Sequence, residues 1–146
     1  MKLVDIEAEW VKDTNIDEKN LGAEALKIPK LHSKYYSILL NEKRIMHGFI
    51  YKKDELTLTL ENYFSKTLTL EELKEFDLPP YTDKRILKPD FPKYIQMFPS
   101  MVELNLKIAT QSDKIEFLKD ILKTIHGRSF IIKDAIEFQK FINGSY

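Results

Sequence analysis

The chain has 146 residues, of which 43% are hydrophobic and 12% aromatic, a composition sufficient for one folded domain with a packed core. It contains no cysteine, which excludes disulfides, thiolate metal sites and cysteine nucleophiles. The formal net charge is zero, yet residues 1–26 carry three basic and seven acidic side chains, and residues 27–66 carry eight basic and four acidic ones. This segregation indicates an electrostatic partner, although helix faces that pair with one another would produce the same pattern.

The N-terminal half of the chain has the spacing of helices. Apolar side chains three and four residues apart predict a short amphipathic helix over Leu3–Lys12. A second helix is expected to stop or restart at Pro29. Heptad-like steps over residues 30–65 then predict one long helix. Within it, Leu56–Leu60 alternates with threonines as a strand would, but no turn signals flank these residues, so we expect the helix to continue through them.

Residues 67–99 are predicted to connect this long helix to a second one. Thr69 and Glu72 have the spacing of a capping box, which predicts one helical turn after Thr69. The remainder is expected to be irregular, with a short helix over Phe91–Met97 and with a minor β element near 84–88 as a further option.

The most regular pattern of the chain lies between Met101 and Ile125. Apolar residues occupy one unbroken heptad register there, and Gln111 is its only polar member. A seam of this length is long for such a small chain to cover alone, so we expect copies of the chain to share it at least in part. A helical hairpin within one chain is the alternative.

The ends of this helix are also predicted from sequence. Ser100 and Glu103 form a capping box at its start, and His126–Gly127 is a typical stop. A final helix would then fold back to complete a C-terminal helical hairpin. The residues predicted to mediate oligomerisation are Met101, Leu104, Ile108, Ile115, Leu118, Leu122, Ile125, Phe138 and Phe141.

Catalytic and cofactor-binding motifs are absent from the sequence. It has no phosphate-binding glycine loop, no nucleophile elbow and no His-Glu-x-x-His, and its three histidines are far apart. We therefore expect neither enzymatic activity nor a metal or other cofactor. No stretch has the features of a signal peptide or a membrane span, so we expect no membrane association and a cytoplasmic protein.

The long helix over residues 30–65 interleaves lysines and arginine with tyrosines and phenylalanines. Proteins bind single-stranded nucleic acids by this combination of phosphate neutralisation and base stacking. Core tyrosines and solvated lysines would give the same sequence pattern. Composition alone therefore leaves both interpretations open.

Two stretches resemble the UvsY family of phage recombination mediators, and its cyanophage members most of all. They are Leu31–Tyr35 with the residues that precede it, and Gly127–Gly144. The resemblance implies a small helical protein that forms a ring-like homo-oligomer of six or seven subunits through its C-terminal region. It further implies binding of single-stranded DNA and loading of a RecA-like (UvsX-like) recombinase onto strands covered by the phage single-stranded-DNA-binding protein.

The sequence departs from this family in one functional segment. T-even members carry basic residues late in the long helix that are implicated in DNA binding, whereas the equivalent segment here, Leu56–Leu60, has no cation. Neighbouring residues are therefore predicted to bind DNA instead: Lys43, Arg44, Lys52, Lys53, Tyr63 and Lys66. The other basic cluster outside the heptad helix consists of Lys84, Arg85 and Lys88, and it is the alternative site if Lys52 and Lys53 do not bind DNA.

These observations predict a mainly α protein in one folding unit. Residues 1–66 would form an acidic arm and the DNA-binding helix, residues 67–99 a connection, and residues 100–146 the oligomerisation region. The predicted function is that of a recombination mediator in a phage-infected host cell. The alternative is a helical homo-oligomeric scaffold that binds only proteins.

Overall fold

The computed structural model describes residues 1–144, and within that range it contains helices and no strand. The mainly α prediction is therefore confirmed. The α-helices are α1 (Leu3–Asp13), α2 (Leu21–Leu26), α3 (Ile28–Phe64), α4 (Leu70–Glu75), α5 (Phe91–Met97) and α6 (Pro99–Ile142), and a single 3₁₀ turn covers Lys88–Asp90.

The long helix predicted over residues 30–65 is present as α3 and includes Leu56–Leu60. The two threonines of that segment are accommodated by hydrogen bonds to the preceding turn. The Thr57 hydroxyl donates to the carbonyl of Lys53 at 2.7 Å, and the Thr59 hydroxyl donates to that of Glu55 at 3.0 Å. The capping box at Thr69 is also confirmed, because its Oγ1 accepts from the Glu72 amide at 3.2 Å.

The predicted C-terminal helical hairpin is wrong. α6 continues through His126–Gly127 to Ile142 without a break. A glycine inside a helix costs only about 1 kcal/mol relative to alanine, and the turns beyond it bury Arg128 and Ile132. That burial favours continuation over a stop.

Two further local predictions are corrected. α6 begins at Pro99, not at a cap on Ser100, because proline in a first helical turn has no amide hydrogen bond to lose. The minor β element near 84–88 is not formed: no partner strand exists in residues 1–144, and the chain enters the 3₁₀ turn at Lys88. The short helix over Phe91–Met97 is confirmed as α5.

The chain forms two compact units, and α3 and α6 each contribute to both. Unit 1 comprises residues 1–45 and the described residues from Gln111 onward. Its core is apolar and draws on all four helices of the unit. The buried apolar residues of this core are Ile6, Leu21, Tyr35, Leu39, Ile115, Leu118, Ile121, Ile125 and Ile132.

Polar contacts fasten α1 to α3 in unit 1. The Lys34 ammonium lies 2.6 Å from Asp13 Oδ2 and 2.9 Å from Glu9 Oε2, and the buried Tyr35 hydroxyl donates to Asp13 Oδ2 at 2.7 Å. Burial opposes the ionisation of Asp13, but the hydrogen bonds from Lys34 and Tyr35 outweigh it and lower the pKa of this carboxyl. Part of the charge segregation of the sequence is thus satisfied within the chain.

Arg128 of α6 secures the loop between α1 and α2. Its guanidinium donates to the carbonyl oxygens of Asp13 and Asn15, both at 2.9 Å, and lies 3.5 Å from Glu24 Oε2. Arg128 and Glu24 are both buried. These contacts favour a helical conformation at Arg128 and so explain why α6 continues beyond Gly127.

Unit 2 comprises residues 46–110. Its core is formed by Leu60 of α3, Phe91 and Ile95 of α5, and Met101 of α6. Partly buried side chains close around this core, and they are Leu56, Phe64, Leu78, Ile86 and Phe98. The functional division of the chain into residues 1–66, 67–99 and 100–146 stays a prediction.

Candidate nucleic-acid interface

The cations predicted to bind DNA are distributed over both units. In unit 1, Lys43 is half-buried and Arg44 is exposed; in unit 2, Lys52 and Lys53 are both exposed on α3. None of these four forms an ion pair with any residue in the range 1–144, whereas Lys34 and Arg128 do. Charges without intramolecular partners remain available to phosphates.

Lys66 follows the C-terminal end of α3, in a position that glycine most often occupies. Its φ is +57°, and the amides of Lys66 and Thr67 donate to the carbonyls of Tyr63 and Asn62. This pattern is a Schellman motif, in which a left-handed residue ends the helix. A side chain in this conformation costs roughly 1 kcal/mol relative to glycine. The Lys66 ammonium also donates to the Thr82 carbonyl at 2.8 Å and so ties the connecting segment to the helix end.

Aromatic rings cluster around this helix end. Tyr63 stacks on Tyr81, with ring centroids 5.5 Å apart, and its hydroxyl donates to the Pro79 carbonyl at 3.0 Å. Burial and the neighbouring Tyr81 raise the pKa of Tyr63. Phe64 meets the rings of Phe91, Tyr94 and Phe98 at centroid distances of 6.0–6.4 Å. Tyr63, predicted to stack on DNA bases, thus has partners within unit 2, and its role in DNA binding stays a prediction.

An open cavity of about 800 Å³ lies beside this aromatic cluster. Phe64, Ile86, Pro89 and Phe91 give it an apolar surface. Its cationic lining residues are Lys66, Arg85 and Lys88, and Asp83 is its one acidic lining residue. Arg85 and Lys88 are exposed and form no ion pair with a described residue. Two of the three residues of the second basic cluster therefore line this cavity.

Lys84 occupies a neighbouring position. Its ammonium lies 5.4 Å from the centroid of the Tyr94 ring, and its side chain lines a smaller cavity together with Tyr63 and Tyr81. Lys84, Arg85 and Lys88 are the residues predicted as the alternative to Lys52 and Lys53 for DNA binding. The excess of basic over acidic residues in the segment 81–93, four against two, was the sequence signal for them.

The predicted oligomerisation residues separate into two groups. The first group is buried or half-buried by its own chain and comprises Met101, Leu104, Ile108, Ile115, Leu118, Leu122 and Ile125. Phe138 and Phe141, in contrast, are 63% and 65% exposed. Other exposed apolar residues near this end of α6 are Phe130, Ile131 and Ile142. The oligomerisation role of both groups stays a prediction.

Gln111, the polar interruption of the heptad seam, has a specific partner. Its Nε2 donates to Glu42 Oε2 at 2.7 Å and to the Glu42 carbonyl at 2.8 Å, and Lys114 Nζ lies 3.2 Å from the same carboxylate. Glu42 is completely buried. Burial opposes its ionisation, but the hydrogen bonds from Gln111, Lys114 and the Met1 amino group outweigh this effect and lower the pKa of Glu42.

Two classes of site are not found in the described part of the chain. Residues 1–144 contain no group of three or more His, Asp or Glu side chains placed to hold a metal ion. Over the same range, no helix combines the length and the apolar character needed to cross a bilayer.

Residues 9–145 match the family described as "Recombination, repair and ssDNA binding protein UvsY". The match extends over nearly the whole chain. The chain belongs to the UvsY family. No curated protein sequence is significantly similar to it.

Solved structures of a UvsY protein share the fold. A crystal structure of the bacteriophage T4 recombination mediator protein UvsY (lattice type IV) matches with a TM-score of 0.83 and 20% identity, covering 97% of this chain and 99% of the T4 chain. The lattice type II structure gives a TM-score of 0.84 at 20% identity, covering 98% of each chain. The lattice type I structure gives 0.79 at 20% identity, covering 94% and 98%. The all-α fold of this UvsY family member is therefore that of the T4 protein.

Proposed function

We propose that this protein is a recombination mediator. It binds single-stranded DNA and helps a RecA-like (UvsX-like) recombinase assemble on strands covered by the phage single-stranded-DNA-binding protein. Membership of the UvsY family over residues 9–145 is the observation that carries the proposal. The protein would act in the cytoplasm of the infected host cell, without hydrolysing a nucleotide and without a cofactor.

The exposed cations of α3 supply the chemistry for DNA binding. Lys52 and Lys53 are adjacent, so their side chains leave the helix about 100° apart. Together they offer positive charge to two neighbouring surfaces of unit 2. Because neither cation is neutralised by an acidic residue of the described chain, a phosphate would not have to displace an existing ion pair. Arg44 and Lys43 add charge on the part of α3 that belongs to unit 1.

Oligomerisation would strengthen this binding. The proposed ring has six or seven subunits, and repetition of a weak site raises overall affinity by orders of magnitude without any new contact. Phe138 is a suitable interface residue because most of its side chain is exposed on α6. We expect Phe138→Glu to lower the sedimentation coefficient of the particle, with Lys140→Glu as a control on the same helix. An unchanged particle in Phe138→Glu would remove this residue from the interface.

A mobility-shift assay tests DNA binding. A labelled oligothymidylate should bind the wild-type protein at low salt and dissociate at high salt. Lys52→Ala/Lys53→Ala should flatten the plot of log affinity against log salt by roughly 0.7 for each phosphate that is no longer neutralised. The charge-matched control is Lys74→Ala/Lys123→Ala, which removes two exposed cations that form no ion pair in the described chain. Equal slopes in the two variants would exclude Lys52 and Lys53.

Recombinase loading needs a separate measurement. Oligothymidylate is first covered with the phage single-stranded-DNA-binding protein, and recombinase filament formation is then followed with and without this protein. Acceleration by the wild-type protein but not by Lys52→Ala/Lys53→Ala supports the proposal. A protein that forms oligomers and binds the recombinase, but binds no DNA at any salt concentration, would instead be the protein-only scaffold.

A further inference from the structure

The cavity in unit 2 has two surfaces of different chemistry. Phe64, Ile86 and Phe91 give it an apolar wall that includes two flat aromatic rings, and the exposed Arg85 and Lys88 lie along its lining. Its volume of about 800 Å³ falls in the range of ligand pockets, which is on the order of 300–1,000 Å³. A ligand that fits both surfaces needs a flat apolar body and an attached anion.

The cations of this cavity are differently engaged. Lys66 donates to the Thr82 carbonyl at 2.8 Å, so its ammonium is already engaged by the connecting segment. The side chains of Arg85 and Lys88 make no hydrogen bond or ion pair within residues 1–144. Asp83 is the one acidic residue on the lining, so cations outnumber acids there by three to one. The free anion-binding capacity of the cavity therefore lies with Arg85 and Lys88.

A nucleotide of single-stranded DNA has the required chemistry. Its base is flat and stacks on aromatic or apolar surfaces, and its phosphate is bound by arginine and lysine. A base in a duplex is already paired and stacked, so it cannot enter such a cavity without being extruded. An acidic peptide would satisfy the cations, but its carboxylate side chains would leave the aromatic walls uncovered.

We propose that this cavity is a nucleotide-binding site for single-stranded DNA. One unstacked base lies against the Phe64 and Phe91 walls, and the adjoining phosphate is bound by Arg85 and Lys88. The inference rests on the proposed function and adds a base-binding site apart from Lys52 and Lys53 on α3. It assigns a role to a connecting segment that carries the second basic cluster of the sequence.

The first test removes the two free cations. Arg85→Ala/Lys88→Ala is compared with wild type and with the Lys74→Ala/Lys123→Ala control in oligothymidylate titrations at several salt concentrations. If both cations contact phosphates, the slope of log affinity against log salt flattens by about 1.4. When salt rises from about 50 to about 200 mM, the wild type then loses about sevenfold more affinity than the variant. The fold should persist, since both side chains are exposed and make no ion pair in the described chain.

The outcomes of this titration separate the two claims. If the wild-type protein binds no oligothymidylate, the proposed function fails. If it binds, and Arg85→Ala/Lys88→Ala has the slope of the control, the proposed function stands and the cavity site is overturned. Circular dichroism of each variant confirms that a loss of binding is not a loss of fold.

The second test locates the base. Oligothymidylate carrying 5-iodouracil is irradiated in complex with the protein, and the crosslinked peptides are identified by mass spectrometry. We expect crosslinks at Phe64 or Phe91 with single strands and none with a duplex of equal length. Crosslinks confined to residues 43–53 would overturn the cavity site. So would protection of Lys88 from acetylation by poly-glutamate but not by oligothymidylate, since the cavity would then bind an acidic protein segment.

Discussion

Replacement of Gln111 by leucine provides a sharp test of the packing in unit 1. By the heptad pattern alone, Gln111→Leu should stabilise the protein, because it completes an apolar seam. The structure predicts the opposite, because Gln111 Nε2 makes two hydrogen bonds to the completely buried Glu42. Among residues 1–144, leucine would leave that carboxylate with only Lys114 and the Met1 amino group as partners.

The magnitude follows from the groups involved. A hydrogen bond to a charged group contributes about 1.5–3 kcal/mol, and a further bond to a carbonyl about 1 kcal/mol. Leucine at a site that is 4% exposed regains at most about 1.5 kcal/mol through apolar burial. We therefore expect Gln111→Leu to lower the free energy of unfolding by about 1–2 kcal/mol at neutral pH.

The pH dependence of unfolding provides an independent test of the same reasoning. In the wild type the pKa of Glu42 lies below its ordinary value of 4.5. The stabilisation from this group is therefore complete above pH 4.5 and is lost as the pH falls through the lower folded-state pKa. Without Gln111, one of the hydrogen bonds that counteract burial is lost, so the pKa of Glu42 rises. Acid unfolding should therefore begin at a higher pH than in the wild type.

Urea unfolding followed by circular dichroism measures these changes, at one fixed protein concentration because oligomer stability depends on concentration. The matched control is Glu42→Leu/Gln111→Leu, which removes both polar partners. This variant should recover most of the lost stability, since the half-buried Lys114 can extend its ammonium to solvent. A Gln111→Leu protein more stable than the wild type would refute the reasoning.

Three further predictions concern single side chains. Gly127→Ala should raise the free energy of unfolding by about 0.5–1 kcal/mol, because an added Cβ meets no atom within 4 Å beyond the neighbouring backbone of its own helix. A lower free energy of urea unfolding in this variant would contradict the continuous helix and favour the helix end predicted at this position. Leu118→Glu should abolish the cooperative thermal transition of the subunit, because this residue is completely buried within its own chain; a folded but dissociated subunit in sedimentation velocity would contradict this. Tyr35→Phe removes the hydrogen bond to Asp13 and should cost about 1.5–3 kcal/mol at neutral pH. Because Asp13 is protonated in acid, this difference should shrink as the pH falls below 3.8; a constant difference in urea unfolding would exclude the bond as its cause.

The sequence predicted the long helices well because their signal is local and periodic. α3 extends within two residues of the predicted bounds, and it includes the alternating Leu56–Leu60 segment. There the absence of turn signals was more informative than β-propensity. The capping box at Thr69 was equally predictable from the sequence, because both of its partners lie within one turn.

The predicted C-terminal helical hairpin was wrong because distant residues decide the outcome there. His126–Gly127 has the composition of a helix stop, but Arg128 gains hydrogen bonds to the carbonyls of Asp13 and Asn15 only if the helix continues. Those partners are more than a hundred residues away, and no local rule could include them. The partner of Gln111 could not be identified from the sequence for the same reason, because Glu42 lies 69 residues earlier.

The candidate site shows why a count of charges could not locate the cations available to DNA. The acidic N-terminal segment and the basic long helix partly neutralise each other, since Lys34 of α3 pairs with Glu9 and Asp13 of α1. Lys52 and Lys53 belong to the same basic segment but have no such partner in the described chain. The number of positive charges in the segment 27–66 is therefore larger than the number free to bind phosphate. A cation that is held in an ion pair must first leave that pair before it can neutralise a phosphate. The Lys52→Ala/Lys53→Ala and Arg85→Ala/Lys88→Ala variants should accordingly flatten the salt slope, whereas loss of Lys34 should act mainly on the stability of unit 1.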